Sequence, residues 1–445
     1  MTRPDMRSER LAAERFAQAQ GRHAGGQVAE AEALYRAALD AKPEHLDALG
    51  NLAALSAQSG RFDEAMTLCR RALALKPDFV AALNTLGIVL KRLGRTEDAV
   101  ACYREALACV PDDTATLGNL GLALRALGRH DEALAPIERA ARLQPTLPSA
   151  QLNRGNALKA LGRLDGAEAA YREAVALDAD YAEAHSNLGS LLRDLGRPDE
   201  AEAELEAALR LNSRLLTARY NLANPHRDRG RLEAATTTYR EVLRLDPDFA
   251  PAHWNLSHVL LLSGRLDEGF AEYEWRWRLP AMGQHGFSGP QWDGAAEPGA
   301  QVIVHAEQGF GDAIQFARYV PLIAARGHPV TLLVRAPLRR LFSGLQGIDV
   351  VTELEPGRRA GYHCPMLSLP GVFGTMLANI PGTAPYLAAD AAAVMRWRAR
   401  LAGDRLAVGV AWRGNPTHIK DRTRSLDPAL LRPLFELDRV RLVSL

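Results

Sequence analysis

A glycine recurs at a spacing of 34 residues through the first part of this 445-residue chain. Its eight copies are Gly26, Gly60, Gly94, Gly128, Gly162, Gly196, Gly230 and Gly264. A small residue follows five positions after each glycine, and a larger, mostly apolar residue follows after nine. A period of this length is typical of a chain that stacks copies of one supersecondary unit.

Each column of the repeat predicts a physical role in a pair of helices. Glycine tolerates positive φ and can end the first helix. An acidic residue three positions later, such as Asp63, complements the dipole at the start of the second helix. The alanine column allows close helix approach, and the tyrosine column fills the space between neighbouring pairs. One pair cannot bury its apolar face alone, so the stack is the folding unit.

These columns resemble the signature of tetratricopeptide repeats over residues 12–280. The resemblance implies an α superhelix of about eight repeats, preceded by a tail at 1–11, that holds another polypeptide. Net charge is +1, so the whole chain is not expected to bind nucleic acid. There is no apolar run of about 20 residues and no signal-peptide core, and the four cysteines lack metal or disulfide spacing. We therefore expect a cytoplasmic protein without a membrane span or a metal.

A further column stands nine residues before the turn glycine. It consists of Asn51, Asn119, Asn153, Asn187, Asn221 and Asn255, with Thr85 in the remaining copy. An amide side chain both donates and accepts hydrogen bonds, so a row of amides on the concave groove could hold a peptide backbone. The segment at 182–197, AEAHSNLGSLLRDLGR, is similar to the repeats of O-GlcNAc transferase, which has such a ladder. Asparagine is also common here in tetratricopeptide repeats generally, where it can serve the helix–helix interface.

The pattern changes after a Gly- and Pro-rich linker at 281–297. Short apolar runs at 301–307, 329–335 and 348–354 alternate with helical stretches, which predicts a parallel α/β domain of Rossmann type over 298–400. A second α/β segment begins near 401 and continues to 445. It has room for only two strands, so we interpret it as the start of a second Rossmann-like domain in a truncated chain.

The sequence EQGFGD places Gly309, Gly311 and Asp312 between a predicted strand and a helix. Ligands of open α/β sheets lie at the carboxyl ends of strands. Glycines there allow a ligand to approach the backbone, and Asp312 is a candidate general base. The alternative is that Asp312 caps the helix.

A second group of candidate residues lies in the sequence WRGNPTHIKDRTRSL. The candidate ligands of a nucleotide diphosphate are Gly414, Asn415, His418, Lys420, Arg422, Arg424 and Ser425. The alternative is a solvated basic loop. The segment at 362–375 is interpreted as the end of a strand and a structural loop, because His363 and Cys364 have no partner spacing for a metal.

Together with the repeats, the segments QWDG, EQGFGD, HCPMLSLP and GVAWRGNPTHIKDRTRSL resemble bacterial tetratricopeptide-containing glycosyltransferases. The segment EQGFGD is similar to the Gly-x-Gly-Asp turn of heptosyltransferase-type glycosyltransferases. The resemblance implies a GT-B fold, a nucleotide-sugar donor, a polypeptide acceptor in the groove, no cofactor, and Asp312 as the base. Two alternatives remain. One is a non-catalytic scaffold that binds proteins, and the other is a transferase with a saccharide or lipid-linked acceptor.

Overall fold

The computed structural model describes residues 3–282, 286–287, 289–295, 297–355, 361–382, 385–412 and 425–444. The chain divides into two compact units, Met1–Val259 and Leu260–Leu445. The dividing point lies inside the last predicted repeat. Among the described residues, no helix combines the length and the apolar character that crossing a bilayer requires.

The predicted helical repeats are confirmed, with two helices to each turn glycine. In chain order the helices are α1 (Arg3–Ala24), α2 (Val28–Ala41), α3 (Leu46–Gln58), α4 (Phe62–Leu75), α5 (Val80–Arg92), α6 (Thr96–Cys109), α7 (Thr114–Ala126), α8 (His130–Leu143), α9 (Pro148–Ala160), α10 (Leu164–Leu177), α11 (Ala182–Asp194), α12 (Pro198–Leu211), α13 (Leu216–Asp228), α14 (Leu232–Leu245), α15 (Ala250–Leu262) and α16 (Leu266–Tyr273). Odd-numbered helices are the first helices of each pair, and even-numbered helices are the second. Helix α1 begins inside the predicted tail at 1–11, where Glu9 pairs with Lys42.

The turn glycines adopt positive φ, from 70° to 79° across the eight copies. At Gly60 the amide donates to Ala57 O and the next amide, of Arg61, donates to Ser56 O. This is the Schellman arrangement, which satisfies the last carbonyls of a helix and needs a left-handed residue. The same pair of hydrogen bonds recurs at Gly94 and Gly128. The period of the sequence therefore reflects one helix-terminating turn that is repeated.

The small and aromatic columns of the repeat are both buried. The alanines five residues after seven of the turn glycines are fully buried, and so are Tyr35, Tyr103, Tyr171 and Tyr239. A second small column lies seven residues before the glycine. A Cβ added to Gly155 would lie 2.4 Å from Tyr171 Cε1, so only the missing side chain lets the tyrosine reach the first helix.

The second unit contains two small parallel sheets with short helices. Its elements are β1 (Val302–His305), α17 (Phe310–Phe316), α18 (Val320–Ala325), β2 (Val330–Leu333), α19 (Ala336–Phe342), β3 (Ile348–Val351), β4 (Tyr362–Pro365), α20 (Leu369–Val372), α21 (Ala391–Leu401), β5 (Leu406–Val410), α22 (Arg432–Phe435) and β6 (Val440–Ser444). The first sheet has the order β3-β2-β1-β4, and β5 pairs with β6 in the second. Parallel α/β units are therefore present. They do not establish the predicted GT-B arrangement.

Two local predictions about this unit need correction. The helical stretch predicted between the first two apolar runs is divided into α17, a 3₁₀ turn and α18, where Pro321 has no N–H to donate. The predicted linker also contains a part of the fold. Trp292 is fully buried, and its backbone N–H donates to His363 O at 2.8 Å. Gln291 forms an isolated parallel β-bridge with His363 of β4.

Candidate functional site

The asparagine column lies on the face that the first helices form, where first helices of successive repeats contact each other. We call the surface of α3, α5, α7, α9, α11, α13 and α15 that carries this column the first-helix face. Four members donate hydrogen bonds to other side chains. These bonds are Asn51 Nδ2 to Tyr35 Oη (3.2 Å), Asn119 Nδ2 to Asn84 Oδ1 (2.9 Å), Asn187 Nδ2 to Asn156 Oδ1 (3.0 Å) and Asn255 Nδ2 to Tyr220 Oη (2.8 Å). The column thus joins helices, which is the alternative that the sequence left open.

One of these contacts extends into a network across two repeats. Asn156 Oδ1 accepts from Asn187 and from the buried hydroxyl of Tyr171, at 2.7 Å. Asn224 Oδ1 accepts in the same way from Asn255 and Tyr239. Asn156 and Asn224 were not among the predicted residues, although both stand six residues before a turn glycine. The signal available in the sequence was an asparagine at the same repeat position in two copies.

Asn153 and Asn221 differ from the other four asparagines. Within the described part of the chain, neither side chain makes a hydrogen bond, and both are half-buried. Asn153 and Asn119 line a pocket of about 350 Å³, which also has the apolar side chains of Leu122, Ile137 and Leu147 in its walls. This pocket combines amide donors and acceptors with an apolar surface, as a peptide-binding site requires.

A second cluster lies at the carboxyl end of β1 in the second unit. Arg276 is fully buried, and its guanidinium donates to Glu307 Oε1 at 3.0 Å, Ser368 Oγ at 2.7 Å and Glu274 Oε1 at 2.8 Å. The Tyr273 hydroxyl accepts from Gln308 Nε2 at 2.8 Å. Arg276 and Glu307 were not among the predicted residues. Their signals were an arginine between two tryptophans and a glutamate two residues before Gly309.

Burial controls the titration of this cluster. Desolvation raises the pKa of Glu307 above its usual value, and the charge and hydrogen bond of Arg276 only partly oppose that rise. Burial also raises the pKa of Tyr273 to about 12. A buried carboxylate held by one arginine is a group whose protonation depends on that partner.

Asp312 lies on α17, near this cluster in sequence. Its Oδ2 accepts the Gly309 N–H at 3.0 Å, so the carboxylate caps its own helix, as the structural alternative predicted. Gly309 and Gly311 both lie outside the positive-φ region, and a Cβ at Gly311 would meet no atom within 4 Å. The turn is therefore open to solvent on the side of Gly311.

The second predicted group is mostly untested by the structure. Gly414, Asn415, His418, Lys420, Arg422 and Arg424 lie outside the described residues. Ser425 is described and half-buried, just before the Leu426 amide that donates to Trp412 O at 2.8 Å. Among the described residues, no group of three His, Cys, Asp or Glu side chains is arranged to hold a metal ion.

Family models identify the repeats. Models described as tetratricopeptide repeat match residues 22–87, 78–146 and 180–248, and one described as TPR repeat matches 155–196. These matches coincide with the 34-residue period and the paired helices, so the helical part of the chain consists of tetratricopeptide repeats. None of these models describes a glycosyltransferase. No curated protein matches the sequence.

Solved tetratricopeptide structures are similar to this chain. A tetratricopeptide repeat protein from Parabacteroides merdae is 17% identical, with 56% of this chain and 99% of that chain covered and a TM-score of 0.45. YrrB, described as a TPR protein with an unusual peptide-binding site, is 22% identical over 41% and 95% of the two chains, with a TM-score of 0.37. Pseudomonas aeruginosa PilF is 22% identical over 47% and 96%, with a TM-score of 0.43.

Proposed function

We propose that the tetratricopeptide repeats bind an extended polypeptide on the first-helix face. The observation that carries this proposal is the pocket of about 350 Å³ between Asn119 and Asn153. Its apolar walls can take a side chain, and its amides can pair with a peptide backbone.

The hydrogen bonds within the array leave capacity for a ligand. Asn119 uses one N–H toward Asn84, which leaves its second N–H for an incoming carbonyl. The Asn153 amide is not used by the described residues, so it offers two donors and an acceptor. A peptide strand contacts such groups through its main chain, which gives affinity without demanding one sequence.

The test selects random displayed peptides on the immobilised full chain and measures their binding by calorimetry. We expect Ala115→Gln, which fills the pocket rim, to weaken binding about tenfold. Ala169→Gln is the matched control, because Ala169 is also exposed but lies on a second helix. Loss of affinity in both variants, or in neither, would contradict binding at the pocket.

We also propose that the second unit transfers a sugar from a nucleotide-sugar donor to an acceptor hydroxyl. Support comes from the parallel strand order around β1 and from the polar cluster at its carboxyl end. Asp312 Oδ1 would accept the acceptor's hydroxyl proton as that oxygen attacks the anomeric carbon. The bond from that carbon to the diphosphate then breaks, and the nucleoside diphosphate leaves with its electron pair.

Calorimetry with UDP, GDP, ADP and their common sugars tests this second function on the full chain. We expect one nucleotide to bind, and Asp312→Asn to abolish transfer without loss of stability, since asparagine can still accept the Gly309 N–H. Absence of nucleotide binding, or full activity of Asp312→Asn, would contradict it. A protein-binding scaffold would then be the function that remains.

A further inference from the structure

A basic column runs along the first-helix face three residues before the turn glycine. Its members are Lys91, Arg125, Lys159, Arg193 and Arg227, in five consecutive repeats. Two of these side chains contact the next first helix. Lys159 Nζ donates to Ser190 Oγ at 3.0 Å, and Arg227 donates to Asn255 Oδ1 at 3.3 Å.

The later members of this column form ion pairs with acidic neighbours. Lys159 pairs with Asp194 at 3.0 Å, and Arg193 pairs with the same carboxylate at 2.7 Å. Arg227 pairs with Asp228 at 2.9 Å. Both aspartates stand two residues before a turn glycine, directly after a member of the column.

The early members have no such neighbour. In the third repeat the corresponding position is Arg92, and in the fourth it is Ala126. Within the described part of the chain, Lys91, Arg92 and Arg125 form no ion pair, and the buried Arg125 Nε has no hydrogen-bond partner. Burial, and then the charges of Arg92 and Arg125, lower the pKa of Lys91.

The cluster of Lys91, Arg92 and Arg125 lies next to the pocket along α7. Asn119 and Leu122 line the pocket and precede Arg125 by two turns and one turn of α7. A ligand that follows this face would therefore meet amides and an apolar cavity first, and three uncompensated cations next. A cationic surface without internal partners favours a ligand that brings its own negative charge.

We propose that Lys91, Arg92 and Arg125 bind the carboxylates of an acidic, extended polypeptide segment whose apolar side chain enters the adjacent pocket. The proposal rests on the polypeptide-binding function above and adds the chemical class of the partner. Carboxylates form charge-assisted hydrogen bonds with these groups, and Arg125 Nε supplies a donor that the folded chain leaves unused.

The test uses fluorescein-labelled peptides with Gly-Glu-Leu-Glu repeated three times, and matched peptides with glutamine or lysine in place of glutamate. Anisotropy is measured with the full chain at low and moderate salt. We expect the glutamate peptide to bind about tenfold or more tighter than the glutamine peptide, with an affinity that salt weakens. The lysine peptide is expected to bind least.

The combined variant Lys91→Gln, Arg92→Gln, Arg125→Gln should lose about tenfold or more in affinity for the glutamate peptide. The matched control removes three exposed cations from second helices, Arg70→Gln, Arg142→Gln and Arg210→Gln, and should change it by less than about twofold. Circular dichroism checks that both variants keep their helices, and Arg125→Lys should retain most of the binding.

Equal losses in the two triple variants would overturn the cluster as the binding site. If the displayed peptides bind but the glutamate peptide does not exceed the glutamine one, the partner class is wrong while the groove function survives. If neither the displayed nor the designed peptides bind, the proposed function itself fails. Tighter binding of a single-stranded oligothymidine, lost in the same variant, would identify nucleic acid and overturn the proposal.

Discussion

The two units are stabilised by contacts of different range. In the repeats, the same short-range contacts recur, and Arg129 joins Glu132 in its own repeat to Glu97 in the preceding one. In the second unit, Arg276 joins Ser368, which is 92 residues away, and Glu307. A repeated contact leaves a period in the sequence, whereas a single long-range contact does not.

The units also differ in where their charges lie. Arginines after the turn glycines, such as Arg61 and Arg197, pair at the surface, where each exposed pair contributes little. Arg276 is fully buried, so its pairing compensates a desolvation cost instead of adding a surface attraction. Removal of one partner should therefore matter far more in the second unit.

The largest expected effect follows from that difference. Arg276→Ala should destabilise the second unit by about 3–5 kcal/mol, because Glu307 would remain buried without its cation. Five of the six tryptophans lie at residue 275 or later, so tryptophan fluorescence reports this unit while far-UV circular dichroism reports the repeats. The urea concentration at the midpoint of unfolding should fall when it is followed by tryptophan fluorescence. The midpoint followed by circular dichroism should be unchanged.

A paired substitution is the control for that experiment. Arg276→Met with Glu307→Leu removes both charges and should recover most of the lost stability. A double variant as unstable as Arg276→Ala would show that packing of the arginine stem, and not its charge, is what matters.

The second effect tests the glycine column of the repeats. Gly155→Ala should cost about 1–3 kcal/mol, because the new Cβ displaces Tyr171. Gly118→Ala, also inside a first helix, meets no atom within 4 Å and should gain about 0.5–1 kcal/mol. Urea unfolding followed by circular dichroism measures both. A gain in both variants would mean that the contact with Tyr171 is not tight.

The third effect compares two members of the asparagine column. Asn187→Ala removes the bond to Asn156 Oδ1 across the repeat interface and should cost about 1 kcal/mol. Asn153→Ala removes no hydrogen bond among the described residues and should leave the free energy of unfolding nearly unchanged. Equal costs would indicate that helix propensity, and not the network, sets the stability.

The smallest effect is a difference in pH dependence between the units. The pKa of Glu307 is raised, so the folded second unit binds more protons and loses stability as pH rises above about 4. The pKa of Glu202 is lowered: burial opposes the change, but hydrogen bonds from Arg231 and Arg229 outweigh it. Its contribution is present above the unfolded pKa and is lost on acidification.

Urea midpoints between about pH 4 and 7 test these opposite slopes. Glu307→Gln should flatten the fluorescence profile, and Glu202→Gln should flatten the circular dichroism profile. Unchanged slopes in either variant would assign that pH dependence to other groups.

The sequence predicted the repeats well, because each column has a local cause. Gly60 is needed for a left-handed helix end, and the alanines five residues later are needed for close packing. Strands β1, β2 and β3 could also be placed from their apolar runs. The hydrogen bond between Asn156 and Asn187, by contrast, depends on how neighbouring repeats stack, and a single column of the sequence does not show this.

The candidate site in the second unit was predicted less well. The glycine turn was located, but the link between Arg276 and Glu307 could not be inferred, since no local pattern connects residues from separate segments. Asp312 illustrates a different limit. A carboxylate after a strand fits both a base and a helix cap, and the structure shows the cap while its role as a base remains a proposal.

The most direct test of the account is the location of a bound peptide on the repeats. A photo-crosslinking benzoylphenylalanine is placed at Ser149, on the rim of the pocket, or at Ala169 on a second helix, and a displayed-library peptide is added. We expect the peptide to crosslink to the full chain from position 149 and not from 169. Crosslinking from 169 alone would place the ligand on the outer helices and contradict binding on the first-helix face.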